Sequence, residues 1–180
     1  MLLSATMIDQ PTAIVVHHHA ASSPTGNGYT PTQIKTAYGF NQVANGGNGA
    51  GQTIAIVDAY NDPTILNDLQ KFDAAFGLAN PPSLTVMSQT GSTTNLPPTD
   101  PGPKSNDWEI EEALDVEWAH ALAPGANIVL VEANSANESD LMTAVRTAAN
   151  LPGVSVVSMS WGGSDFSSES AYDSYFTTPA

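Results

Sequence analysis

Cysteine is absent from these 180 residues, which removes disulfide frameworks, thiolate zinc sites and cysteine nucleophiles, and leaves the compartment to be argued from other features. Basic residues are nearly as scarce. Four Lys and Arg stand against 18 Asp and Glu, a net charge of -14. Such a surface repels phosphate backbones, so nucleic acid is not an expected partner. Long apolar runs are missing too. The stretch from Ala13 to Val16 is far shorter than a membrane span or a signal h-region, and Met1 to His19 has no basic n-region, so neither a membrane segment nor an export signal is read there.

What is present suffices for one ordinary core, since 41% of the chain is hydrophobic. The Ser, Pro, Thr, Gly and Asn-rich stretch from Ala20 to Asn27 reads as a linker, which divides residues 1–28, a leader, from a body covering 29–180. Thr30-Pro31 before Gln33, Ile34 and Ala37 predicts a short helix ending at Gly39. The β-branched run Thr53 to Val57 predicts a strand buried on both faces, with Asp58 at its carboxyl end. Asp62-Pro63 opens a helix bearing Ile65, Leu66, Leu69, Phe72 and Phe76, and a strand follows at Leu84 to Met87. After a loop from Gly91 to Asn106 come a helix from Trp108 to Leu122, a strand from Ile128 to Glu132, a helix from Ser139 to Ala149 and a strand from Val154 to Ser160. This alternation predicts an α/β fold with a largely parallel sheet flanked by helices, whose sites gather at the carboxyl ends of the strands.

Five acids lie between Glu109 and Glu117, a dense group in a chain only 12% charged. On a helix, Glu111 and Asp115 stand one turn apart on one side, continued by Trp118 and Leu122. Paired carboxyls beside apolar surface push one pKa up and can share a proton, as suits a general base working in acid, where histidine is already protonated. The same residues also fit a solvated acidic face favoured by the helix dipole. Spacing does not choose Glu111 over Glu112, which stands three residues before Asp115.

The stretch Glu111 to Ala126, with its Glu-x-x-x-Asp and the following Ala-Leu-Ala-Pro-Gly-Ala, resembles the sedolisin family of serine-carboxyl peptidases, which share the subtilisin-like fold. The resemblance continues through Tyr29-Thr30-Pro31, Ile54 to Asp58 and Ser158 to Gly163, and covers about 29–180. It implies an endopeptidase acting at acid pH, with Glu111 as general base and Asp115 as the acid that orients it. It implies a supporting role for Asp58, equally readable as a strand-end carboxylate satisfying loop amides, and for Trp161, which also reads as a core residue. The backbone of Ser160, Trp161 and Gly162 is implied to pair with a polypeptide substrate as an added strand. An extracellular location, a propeptide that residues 1–28 do not resemble, and calcium bound by a C-terminal region outside these residues are further implications.

The family's serine in Gly-Thr-Ser and its oxyanion aspartate in Gly-Asp-Ser-Gly do not occur here. These 180 residues are therefore expected to be the N-terminal portion of a peptidase domain, inactive alone and marginally stable for want of sheet neighbours. A relative that has lost the nucleophile and only binds peptides is the alternative. The glycine-rich run Gly46 to Thr53 lacks the lysine of a phosphate-binding loop and precedes a strand, so it reads as a turn. His17 to His19 lacks an ordered fourth ligand, so no metal site and no cofactor is read within this chain. His120 points away from Asp115 and is not enlisted.

Overall fold

The computed structural model describes residues 10–11, 28–43, 47–102 and 108–177. The three-histidine tract and the linker from Ala20 to Asn27 lie outside them. Four parallel strands form the central sheet: β2 (Thr53–Ala59), β3 (Leu84–Ser88), β4 (Asn127–Ala133) and β5 (Val156–Ser158), in the order β3-β4-β2-β5. Ile54 lies opposite Ile128 and Val156, and Asp58 opposite Glu132, so β2 and β4 end level on the carboxyl side. A separate antiparallel pair joins β1 (Gln10–Pro11) to β6 (Trp161–Gly162). Among the described residues, no helix is long and apolar enough to cross a membrane.

Alternate residues of each strand face opposite layers, so one strand serves two cores. Ala55, Val57, Ala59, Val131 and Ala133 pack with Leu141, Ala144, Val145 and Ala148 of α4 (Glu138–Asn150). Ile56, Ile128 and Leu130 face the other layer, against Ile65 and Leu69 of α2 (Ile65–Phe76) and Val116 of α3 (Trp108–Leu122). The β-branched run is thus buried on both faces, as the pattern requires. Of the apolar positions expected on α2, Ile65, Leu69 and Phe72 are buried. Leu66 is 56% exposed, because the buried stripe of a single-sided helix is narrower than that row of apolar residues.

Local chemistry fixes the element ends. Thr30 and Gln33 form a reciprocal capping box at α1 (Pro31–Ala37), and Gly39 follows with φ 73°. Asp62 accepts from both the backbone N–H and the hydroxyl of Thr64 at the start of α2, at 2.7 and 2.9 Å. Asp100 caps α3 by accepting the Trp108 N–H at 3.2 Å. The glycine-rich segment is a turn against the Ala-Pro-Gly-Ala stretch: the Gly125 N–H donates to the Asn48 carbonyl at 2.6 Å. A Cβ on Gly49 would stand 3.0 Å from those of Ala123 and Ala126, at a φ of 73°. This close approach aligns the starts of β2 and β4.

The strand expected from Val154 to Ser160 is shorter and divided. Only Val156–Ser158 joins the sheet, and Trp161–Gly162 pairs elsewhere.

Candidate active site

The two-residue period of the strands carries the rows of the α2–α3 layer onto acids. Ile56 is followed on its face by Asp58, and Leu130 by Glu132, and both acids are fully buried at the carboxyl end of the sheet. Across from them runs α3. Its sheet-facing stripe includes Glu112 and Val116, one turn apart, and Glu111 stands beside it. Glu111 is 1% and Glu112 0% exposed, so the solvated acidic face is overturned: these carboxyls lie inside the protein because α3 covers the sheet with that side.

The structure places Asp58 within electrostatic reach of both Glu111 and Asp115. Asp58 is held well above the ordinary aspartate value, first by burial and then by Asp115, Glu111 and Glu132. Asp115 is also raised by burial, and a hydrogen bond from the Ser160 hydroxyl acts in the opposite direction. That bond ties the acid to the predicted substrate segment. The Trp161 indole N–H donates to the Val57 carbonyl at 2.7 Å, one residue before Asp58. Trp161 therefore anchors the segment from Ser160 to Gly162 to the strand that carries Asp58, and its ring packs against the α4 core.

The backbone of Trp161–Gly162 is paired antiparallel with Gln10–Pro11, Gln10 opposite Gly162 and Pro11 opposite Trp161. The segment expected to receive a peptide as an added strand is thus paired here with the chain's own residues. Tyr60 follows close after Asp58 with φ 70°, a left-handed conformation unusual for a large residue, held by its N–H donating to the Ala133 carbonyl at 2.8 Å.

Two further acids join this site: Glu112, which helical spacing left as an alternative to Glu111, and Glu132, which sequence reasoning missed. Burial comes first in raising both; Glu132 reaches about 8. The Asn61 side-chain amide, oriented as its hydrogen bonding requires, donates to the two Glu132 oxygens at 3.2 and 3.1 Å. The signal available was the parity of Glu132 with Leu130 in the strand. His120 stands apart, fully buried with Nε2 2.8 Å from the Ala79 carbonyl and 3.2 Å from Asp73, so it clamps α3 to the end of α2. Among the described residues no group of His, Asp and Glu is arranged to hold a metal ion; the calcium expectation concerns residues outside this chain.

No protein-family model matches the chain. It is 36% identical over 149 residues to kumamolisin of Bacillus sp. (strain MN-32), an alignment covering 79% of this chain and 24% of that protein. The chain thus spans about a quarter of the length of the curated relative it matches. In architecture it resembles the Pseudomonas sedolisin (serine-carboxyl proteinase) complexed with two molecules of pseudo-iodotyrostatin. The TM-score is 0.52 and the identity 24%, over 72% of this chain and 34% of that one.

Proposed function

The chain belongs to the sedolisin family, and from that premise we propose that it supplies the base side of a serine-carboxyl endopeptidase that works in acid. The observation that carries this reading is the joining of the acid pair to the substrate edge: Asp115 receives the Ser160 hydroxyl, and Ser160 leads directly into the strand-accepting Trp161–Gly162. In this reading Glu111 is the general base. It takes the proton of a serine hydroxyl as that oxygen attacks the peptide carbonyl, and returns it to the leaving amine. The serine belongs to a part of the protein beyond these residues. Asp115 holds Glu111 in orientation, and Asp58 lies behind them within electrostatic reach of both. A carboxyl base remains able to accept a proton at a pH where imidazole is already charged, which suits such a site to acid. The substrate is an unfolded polypeptide, lying as an added strand along Ser160, Trp161 and Gly162, and the enzyme acts outside the cell.

The test is turnover of a polypeptide at acid pH by the complete protein. Glu111→Gln is expected to lower kcat by about a hundredfold or more, and Asp115→Asn by a comparable factor, both with KM little changed. Undiminished turnover removes both residues from the mechanism. A second reading draws on the same β1–β6 pairing: a peptide-binding relative would keep the edge and Trp161 and show no hydrolysis at all.

A further inference from the structure

Behind the acid pair the carboxyls continue deeper than orientation of a base requires. Asp58 and Glu112 are fully buried, and neither carboxyl has a hydrogen-bond partner on either oxygen. Glu132 lies opposite Asp58 across the β2–β4 ladder, equally buried, with Asn61 on both oxygens. The titratable groups acting on these three come from every neighbouring element: Glu111 and Asp115 of α3 on Asp58, Asp62 of the β2–α2 loop on Glu112 and Glu132, and the three on each other. All are acids. The Asp62 backbone N–H acts the other way, favouring the charged forms of Glu112 and Glu132, and for Glu132 it ranks next after burial. Among the described residues, Lys71 is engaged with Asp68 at 2.9 Å, and Arg146 stacks over the Tyr175 ring at 4.3 Å.

Carboxylates with no positive partner cannot remain charged in such a place. An isolated buried charge is too costly, so the group keeps its proton instead, and a protonated carboxyl can donate to an adjacent carboxyl oxygen. We propose that Glu112 and Glu132 are positioning residues that, with Asp58, form a proton-holding set closing the carboxyl ends of β2 and β4 beneath α3, and so keep Glu111 and Asp115 in place only while those protons stay bound. No bond is made or broken beyond proton binding, and the protons come from solvent. The relevance to catalysis rests on the reading of Glu111 and Asp115 as the base and its partner; the proton-holding set itself does not.

The direction with pH follows. A group whose folded-state pKa is raised stabilises the fold fully below its unfolded value, and that stability is lost as pH rises through the folded value. For Glu132 the window runs from 4.5 to about 8. Glu117, raised to about 7 mainly by burial and next by Asp68, contributes in the same range and must be separated by substitution.

The experiment is urea unfolding of the full chain across that range, for the wild type and for Glu112→Gln and Glu132→Gln. In the wild type the unfolding constant is expected to climb with pH. Each substitution is expected to remove up to about a tenfold rise per pH unit, one proton's worth. A second measurement needs no variant. Infrared spectra of the folded wild type at about pH 7, where exposed Asp and Glu are ionised, are expected to retain a carboxylic-acid carbonyl band that vanishes on unfolding. An identical pH slope in all three proteins, or the absence of that band, overturns the proposal. Neither readout involves turnover, so the role of Glu111 as base is judged separately.

Discussion

Gly49 shows how much one side chain can decide. Its φ of 73° and the 3.0 Å distance that a Cβ would have to both Ala123 and Ala126 leave no room for substitution without moving the turn that starts β2 against the one that starts β4. Gly49→Ala is expected to cost about 1–3 kcal/mol, combining left-handed strain with overpacking, as read from urea unfolding. Trp161 offers a second case. Trp161→Phe keeps most of the apolar contact but removes the donor to the Val57 carbonyl. A loss of about 1–2 kcal/mol is expected by the same assay, with the segment around Trp161 released from the strand that bears Asp58. At this scale the sequence was legible where a residue type has one use: Thr30 as a cap, Gly39 after α1, Asp58 at a strand end. It was not legible for Glu112, because helical spacing gives the same weight to Glu111 and Glu112, and burial of either depends on which face of α3 meets the sheet.

Among the elements, those with strong periodicity were legible to within a few residues. The helix read from Trp108 to Leu122 and the strand read from Thr53 both formed, since continuous β-branched runs and capped amphipathic runs have few alternative structures. Short edge pairs carry no such pattern. Two residues, Gln10–Pro11, pair with Trp161–Gly162 through the backbone, and so short a strand has no hydrophobic period, so β1 left no trace in the pattern. This pairing occupies the edge that the proposed function gives to substrate. Removal of residues 1–27 is expected to expose the edge and strengthen binding of an extended peptide several-fold, measured by calorimetry on the two chain lengths. Equal affinity for both would mean that the β1 pairing does not compete with peptide.

For the whole molecule, the parallel order β3-β4-β2-β5 gathers the strand ends on one side, and that side is where every acid of the candidate site lies. This much followed from alternation of strands and helices. The depth of the acidic interior did not, because composition reports how many carboxylates there are and not how many are turned inward. Three of the 18 acids, Asp58, Glu112 and Glu132, end a strand row or line the sheet-facing stripe of α3, where the pattern places an apolar side chain. The bond from the Trp161 indole to the β2 carbonyl has a consequence for anyone following the protein in solution. Trp108 is buried beneath the α4 layer and Trp118 meets Phe72 edge to face, so of the three tryptophans it is Trp161 that sits on the edge itself. Its fluorescence is a built-in optical signal: when a strand docks or leaves beside it, the emission colour and intensity of that one ring should change, without any label attached.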